Sequence, residues 1–179
     1  MPKLIENVSQ QLLAEARRQV AQQGYAKTTV RSVAGACGIA VGTVYNYFPS
    51  KEILIASFVA EDWRKALADI RKQGGETAES RLRAVYDGLL AFAEKHHDLF
   101  ADPDAAKAVS GALLPRHLQL REQLAELIEP VAPSGDGFTA RFIAEALLTW
   151  TISNTPFERI YQELKKLISN QKEAFHEQL

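Results

Sequence analysis

The chain has 179 residues, of which 46% are hydrophobic and 24% charged, a composition typical of a folded globular protein. No apolar run reaches the ~20 residues that span a bilayer, and residues 1–10 lack the apolar stretch of a signal peptide, so we expect a cytoplasmic protein with no membrane partner. The single cysteine, Cys37, excludes an intrachain disulfide and a cysteine-based zinc cage.

The net charge of −1 is unevenly distributed along the chain. Residues 1–51 carry six basic and two acidic side chains, a net charge of +4, and the remainder carries 15 basic and 20 acidic ones, a net charge of −5. A basic N-terminal part indicates a polyanionic partner, although chance variation explains an excess of this size equally well.

The N-terminal part predicts three helices. An apolar stripe predicts a first helix that ends at Gly24, with the stripe formed by Ile5, Val8, Leu12, Ala16 and Val20. A short second helix follows the candidate N-caps Thr28 and Thr29. Cys37 and Gly38 predict a tight turn, and a third short helix covers residues 40–47.

The remainder also shows helical periodicity, and no segment alternates as a strand does. A long fourth helix, capped by Ser50, is expected from Lys51 to about Lys72, and a fifth over roughly Ala78–His96. Breaks at Pro103, at Gly111–Pro115 and at Pro130–Gly137 predict short helices near 104–110 and 114–129 and longer ones near 138–153 and 157–176. The fold class is therefore all-α, with about nine helices and a functional boundary at about residue 50.

Two short helices joined by a glycine-containing turn are the signature of a helix-turn-helix. Val30, Val33 and Ala34 are expected to face inward from the first of them. The small residues Gly42 and Thr43 let the backbone of the second approach a major groove closely.

Many residues stand at the spacing of one known family: Gly24-Tyr25, Thr28-Thr29-Val30, Val33-Ala34, Gly38-Ile39, Gly42-Thr43-Val44-Tyr45, Tyr47-Phe48 and Ser50-Lys51-Glu52 with Leu54. On these residues, the segment 8–55 resembles the DNA-binding domain of the TetR family. The resemblance implies an N-terminal three-helix helix-turn-helix DNA-binding domain over residues 1–50. It also implies an all-helical ligand-sensing and dimerisation domain over residues 51–179.

The resemblance assigns DNA contacts to Thr29, Arg31, Ser32, Val41, Gly42, Thr43, Tyr45, Asn46, Tyr47 and Lys51. Most of these contacts position the protein on phosphates, including those of the Tyr45 and Tyr47 hydroxyls and the Lys51 ammonium. Thr43 and Asn46 are expected to read base edges, because a threonine methyl meets thymine and an amide pairs with adenine.

One position departs from the family pattern. The family has serine where this chain has Ala40, and serine there caps the recognition helix. The loss of such a cap costs about 0.5–2 kcal/mol, so DNA binding is expected to depend more on Tyr45, Tyr47 and Lys51.

Two helices near the C-terminus carry apolar stripes. The resemblance assigns them to a homodimer interface formed by Phe138, Phe142, Trp150, Phe157, Ile160, Tyr161, Leu164, Leu167 and Ile168. A two-fold protein suits a palindromic operator, although packing within one chain explains the same stripes.

A ligand pocket is expected among the fourth to eighth helices, with candidate lining residues Phe58, Trp63, Tyr86, Phe92, His96, Phe100, His117 and Trp150. Most are expected to be ordinary core residues, and the mostly apolar set favours an apolar or aromatic small molecule. His96, His97 and Asp98 are adjacent, so their side chains diverge by ~100° along a helix and predict no metal site. No cofactor is expected.

These observations predict a sequence-specific DNA-binding transcriptional regulator, a repressor that a small molecule releases from a palindromic operator. An enzyme is not expected, because the chain lacks a nucleophile elbow, a phosphate loop and a dinucleotide fingerprint. Three alternatives stay open: a regulator without a ligand, an enzyme domain fused to a helix-turn-helix, and an architectural protein that binds DNA without sequence preference.

Overall fold

A computed structural model describes residues 8–176, with side chains described over residues 8–107 and 117–169. Within that range the elements are α1 (Val8–Lys27), α2 (Val30–Cys37), α3 (Val41–Tyr47), α4 (Lys51–Gln73), α5 (Ala78–Lys95), α6 (His97–Ala101), α7 (Pro103–Ile128), α8 (Phe138–Ile152) and α9 (Phe157–His176). The expected all-α fold is confirmed, since the described residues contain no strand. None of these helices is long and apolar enough to cross a membrane.

The chain divides into two compact units. The first unit holds the described residues up to Trp63 together with His96–Leu114. The second unit holds Arg64–Lys95 and the described residues from Pro115 onward. This division follows packing, and the functional boundary at about residue 50 stays a prediction.

The core of the first unit forms where α1 packs on α2 and α6, and α2 packs on α3. Its fully buried side chains include Leu12, Val33, Val44, Leu54 and Phe58. The burial of each contributes about 1.5–3 kcal/mol, and this packing stabilises α2 and α3, which are too short to be stable alone.

The second unit is built around α5, α8 and α9, which contact one another. Its fully buried side chains include Leu82, Leu124, Ile128, Ile143 and Leu147. Gly88 of α5 lies directly against Ile70, where a methyl group on the glycine would overlap the isoleucine side chain. The close approach of these two segments therefore requires glycine at position 88.

The structure differs from the sequence predictions at two places. Two short helices were expected on either side of Gly111–Pro115, and instead the single helix α7 runs through this stretch. The short helix α6 was not predicted. α7 has buried residues on both sides of this stretch, such as Ala105 in the first unit and Ile128 in the second.

The first helix is interrupted at Gly24, the residue at which the sequence predicts its end. Its predicted start at Ile5 lies outside the described residues. At Gly24 the backbone adopts φ 81° and ψ 169°, which kinks the helix, and helical structure resumes up to Lys27. Glycine tolerates this positive φ without steric cost, so the chain bends there.

Candidate nucleic-acid interface

The N-terminus of α2 is closed by a reciprocal capping box. Thr29 Oγ1 accepts a hydrogen bond from Ser32 N at 3.0 Å, and Ser32 Oγ accepts one from Thr29 N at 3.0 Å. The predicted N-cap Thr29 is thereby confirmed. Because both hydroxyls already hold the first turn of α2, their first role is to fix the direction in which this helix leaves the loop.

The turn between α2 and α3 is made by Gly38. Its backbone lies in the left-handed region at φ 67° and ψ 26°, as the predicted tight turn requires. Ile39 N then donates to Ala34 O at 2.9 Å, which satisfies one of the last carbonyls of α2. The turn therefore sets α3 at a fixed angle to α2.

Helix α3 separates its buried and exposed side chains clearly. Val44 is fully buried, and Phe48 at the C-cap is buried beside it. Tyr45 and Tyr47 are each about half exposed, at 48% and 49%. Asn46 and Gly42 are also exposed, whereas Val41 and Thr43 are half-buried, and these six residues form the outer surface of α3.

The N-cap of α3 is Ala40, and it makes no side-chain hydrogen bond. Backbone bonds alone close this end, with Thr43 N donating to Ala40 O at 2.9 Å. The expected absence of a cap on the recognition helix is therefore confirmed.

Lys51 lies at the first residue of α4, where its ammonium group packs against Tyr25. Lys51 Nζ donates to Tyr25 O at 2.6 Å and lies 3.7 Å from the centroid of the tyrosine ring. Burial lowers the pKa of Lys51, and the acidic groups of Glu52, Asp102 and Asp104 partly oppose this effect. Lys51 therefore ties α4 to the end of α1 in addition to its predicted phosphate contact.

The predicted DNA-contacting residues lie on three successive elements of the first unit. Arg31 is exposed on α2, next to the half-buried Ser32, and the outer surface of α3 supplies the six residues described above. Thr29 precedes α2 and Lys51 begins α4. The structure describes all ten, and it gives Ser32 and Lys51 partners within the protein that the sequence did not reveal.

Cys37, at the last residue of α2, is a half-buried free thiol. Its Sγ lies 3.7 Å from Gln11 O, and burial raises the pKa of the thiol. A thiol with a raised pKa carries little reactive thiolate at neutral pH, so Cys37 serves as a packing residue.

A buried glutamine behind α2 was missed by the sequence analysis. Gln19 of α1 is only 6% exposed, and its Oε1 accepts a hydrogen bond from Ser32 Oγ at 2.6 Å. The sequence did contain a signal, because Gln19 continues the steps of four and three residues set by the buried Leu12 and Ala16. A polar residue on a buried stripe indicates a polar partner in the core.

A second polar group is buried in the first unit around Asp62 of α4. Arg17 lies 3.0 Å from Asp62 and 3.1 Å from Glu61, and His96 Nε2 lies 3.3 Å from Asp62 Oδ2. The guanidinium of Arg17 also lies 5.5 Å from the ring centroid of Phe58. This ionic cluster joins α1 to α4 and to the residue preceding α6.

The predicted ligand-pocket residues fall into both units. In the first unit Phe58, Trp63 and His96 are buried, and His96 lies between the rings of Phe58 at 6.3 Å and Phe100 at 5.8 Å. The second unit holds the other four predicted lining residues, namely Tyr86, Phe92, His117 and Trp150.

Those four residues of the second unit differ in exposure. Tyr86 is buried and donates to Thr155 O at 3.0 Å, and Phe92 is half-buried. His117 is exposed and lies 3.1 Å from Glu145, and Trp150 is 53% exposed. The last two side chains therefore lie on the surface of the second unit.

The predicted dimer residues also separate by burial. Four aromatic and aliphatic side chains are exposed, namely Phe138, Phe142, Trp150 and Leu167. Tyr161 is half-buried, and four others are buried within the second unit, namely Phe157, Ile160, Leu164 and Ile168. The buried four pack inside their own chain, because α9 turns that side toward the core of the unit.

The succession of α2, the Gly38 turn and α3, with an exposed outer surface on α3, is the arrangement of a helix-turn-helix. Residues 12–58 match the family model of bacterial regulatory proteins, tetR family. The match spans most of α1, all of α2 and α3, and the start of α4.

Two curated relatives and one solved structure are similar to this chain. The fatty acid metabolism regulator protein of Bacillus subtilis is 27% identical over 120 residues, which cover 66% of this chain and 59% of that protein. The HTH-type transcriptional repressor KstR of Rhodococcus jostii is 32% identical over 104 residues, covering 52% of this chain and 49% of that protein. The chain thus matches less than two thirds of the length of either relative.

The solved structure of a TetR/AcrR family regulator from Thermobifida fusca superimposes with a TM-score of 0.57 at 17% identity. The match covers 91% of this chain and 97% of that one. At this identity the likeness shows the shared fold.

Proposed function

We propose that this protein is a sequence-specific transcriptional regulator, a repressor that a small-molecule ligand releases from a palindromic operator. The observation that carries the proposal is the outer surface of α3. There Tyr45, Asn46 and Tyr47 are exposed in succession while Val44 anchors the helix to the core. Exposed tyrosines and an amide on the second helix of a helix-turn-helix supply phosphate donors and a base-reading group.

Of the ten predicted DNA-contacting residues, only Arg31 and Lys51 are cationic, which affects how the protein binds. Arg31 is exposed, whereas the Lys51 ammonium is already packed on Tyr25. A surface with few free cations releases few counterions, so binding is expected to depend moderately on salt. Specificity then rests on the hydroxyl and amide contacts of α3 more than on charge.

The proposed homodimer would form through the exposed face of α8. Phe138, Phe142 and Trp150 are spaced by four and eight residues, so they project from one side of the helix, and they are 60%, 49% and 53% exposed. Aromatic side chains in such a row are enriched in protein interfaces. A dimer of this kind would place two recognition helices one turn of DNA apart, about 34–36 Å.

The dimer proposal is tested by sedimentation of the Phe142→Glu variant. A charge within an apolar interface is expected to weaken association by about 30-fold or more. The control is Ile53→Glu, which places the same charge on an apolar side chain of α4 that is 41% exposed. Equal association constants for wild-type protein and Phe142→Glu would refute this interface.

The proposed ligand is apolar or aromatic, and the cluster of Phe58, His96 and Phe100 in the first unit is the first place to seek it. One relative is named a regulator of fatty acid metabolism, so acyl compounds of several chain lengths come first in the screen. The readout is release of bound DNA together with a rise in melting temperature, because a ligand that binds the folded protein stabilises it.

We propose that the protein has no catalytic activity of its own, in line with relatives that are named as regulators and repressors. A protein that binds the chromosome acts where the DNA is, so the proposed location is the cytoplasm.

The central experiment selects binding sites from a random duplex pool with the purified protein. Wild-type protein is expected to enrich a palindromic site, and a Tyr45→Ala/Tyr47→Ala variant is expected to lose it while keeping its helical circular dichroism. Loss of several phosphate and base contacts should weaken operator binding by about 100-fold. The control is Leu118→Ala, an apolar truncation at a side chain of α7 that is 58% exposed.

Two outcomes would contradict the proposal. Equal affinity of the wild-type protein for selected and scrambled duplexes would favour an architectural protein without sequence preference. Retention of the selected site by the double variant would show that α3 is not the reading helix.

A further inference from the structure

Gln19 occupies a position on α1 where an apolar side chain would be expected. It follows Leu12 and Ala16 on the buried stripe, and it is 6% exposed. Neither of its polar atoms points to bulk solvent, and both have partners within the protein. A buried amide of this kind is retained only if its hydrogen bonds offset its desolvation, so its partners define what it does.

The direction of the hydrogen bonds around Gln19 is fixed by a carboxylate at one end. Glu15 can only accept, so Gln19 presents its Nε2 to Glu15 Oε1, at 2.7 Å. Gln19 Oε1 must then accept, and it does so from Ser32 Oγ at 2.6 Å and from Gln23 Nε2 at 3.3 Å. Ser32 Oγ also lies 2.9 Å from Thr29 O, and it accepts from Thr29 N at 3.0 Å.

The hydrogen bonds that run from Thr29 through Ser32 and Gln19 to Glu15 are called the relay. The Glu15 carboxylate at one end of the relay is held in its ionised form. Arg18 Nε donates to Glu15 Oε2 at 2.8 Å, and these bonds lower the pKa of Glu15 to about 2. Glu15 therefore stays a hydrogen-bond acceptor throughout the neutral pH range. Each donor in the relay lies on the side of Thr29, and each acceptor lies on the side of Glu15. The other end of the relay lies at the first turn of α2, next to Thr29 and the exposed Arg31.

We infer that Gln19 is a positioning residue for DNA binding, which holds the first turn of α2 so that Thr29 and Arg31 meet the phosphate backbone. The inference rests on the proposed function and adds a residue that does not touch DNA. It also gives Ser32 a second role, since its hydroxyl is engaged by α1 and by the N-cap and acts on DNA through the position of its neighbours.

The DNA arm of the test uses Gln19→Leu, Ser32→Ala and the double variant on the selected operator. Each single variant is expected to weaken binding by about fivefold, the equivalent of one hydrogen bond. The double variant should be no weaker than either single one, because both break the same relay. The logarithmic salt dependence of binding should fall by about 0.9, as expected when one arginine–phosphate contact is lost.

Two controls separate position from stability. Gln10→Leu makes the same change at an exposed glutamine of α1 outside these hydrogen bonds, and should leave affinity and salt dependence unchanged. Ser32→Thr keeps a hydroxyl at the same place and should restore binding relative to Ser32→Ala. Ser32→Ala changes a half-buried surface residue, so it serves where Gln19→Leu fails to fold.

A DNA-independent arm keeps the inference distinct from the proposed function. Amide hydrogen exchange at Thr29 in the free protein should accelerate by about fivefold in Gln19→Leu and stay unchanged in Gln10→Leu. Unchanged exchange would overturn the positioning role even if DNA binding is confirmed. Additive losses of affinity in the double variant, or an unchanged salt dependence, would overturn it as well. A wild-type protein without a selected site would overturn the proposed function, and the exchange arm would still decide whether Gln19 holds the turn.

Discussion

His96 Nε2 lies 3.3 Å from Asp62 Oδ2, and both side chains are more than nine-tenths buried. The two residues are distant in sequence, one on α4 and the other just before α6. Arg17 of α1 completes the arrangement at 3.0 Å from Asp62. Three segments of the first unit, including the helix that supports α2, therefore meet at one carboxylate.

Asp62→Ala is expected to lower the free energy of unfolding by about 3 kcal/mol, because it leaves Arg17 and His96 without their shared buried carboxylate. Urea denaturation at neutral pH, followed by circular dichroism, measures the change. Glu61→Ala removes the more exposed carboxylate of the same cluster and should cost about 1 kcal/mol or less. Equal losses of unfolding free energy for the two variants would show that the buried Asp62 stabilises the fold no more than the more exposed Glu61 does.

Gly38 and Gly35 offer a matched pair for testing the turn. A methyl group added at either glycine would contact no other atom. The two differ in backbone conformation, because Gly38 has φ 67° and Gly35 lies within α2. Gly38→Ala should therefore destabilise by about 1–2 kcal/mol through backbone strain alone. Gly35→Ala should stabilise by about 0.5–1 kcal/mol, since alanine favours a helix. Thermal melting should shift in opposite directions, and a shift of the same sign for both would contradict this account.

Ala40→Ser is expected to supply the missing cap of α3. The serine hydroxyl would accept from the free N–H groups of the first turn and raise the free energy of unfolding by about 1 kcal/mol. Operator affinity should rise with it, because the recognition helix becomes better ordered. Ala36→Ser places the same side chain inside α2, where serine is slightly unfavourable, and should give no gain. An unchanged free energy of unfolding in Ala40→Ser would indicate that the missing side-chain cap does not destabilise the fold.

The pH dependence of stability should reveal Glu15. Hydrogen bonds from Arg18 and then Gln19 lower its pKa from 4.5 to about 2. A depressed folded-state pKa contributes stability that is present above about pH 4.5 and is lost as the pH falls toward 2. Because Arg18 is exposed, screening reduces this contribution to about 1 kcal/mol. The difference between wild-type protein and Glu15→Gln in urea denaturation should shrink over that interval, and a constant difference would contradict the assignment.

Local signals in the sequence predicted the helix-turn-helix closely. Thr29 was recognised as an N-cap and Gly38 as a turn residue because their chemistry acts within four residues of chain. The start of α4 at Lys51 was predicted for the same reason, and Ser50 Oγ does accept from Ile53 N at 3.2 Å.

The errors arose where distant parts of the chain decide the structure. The stretch Gly111–Pro115 predicted a break from local preferences, whereas α7 runs through it. The partners of Gln19 and Asp62 were not identifiable, because periodicity shows which side of a helix is buried and not which residue lies opposite. Tertiary structure alone brings Ser32 to Gln19 across 13 positions of sequence.

The two tryptophans of the chain report on different events. Trp63 is 7% exposed, and Trp150 is 53% exposed on the face of α8 that we propose to associate. The emission of Trp150 in a free subunit should therefore resemble that of a solvated indole and shift to shorter wavelength when the face is covered, while Trp63 stays buried in both states. A Trp63→Phe variant would thus carry an intrinsic fluorescent reporter of subunit exchange, usable on unlabelled protein at the low concentrations at which a regulator works.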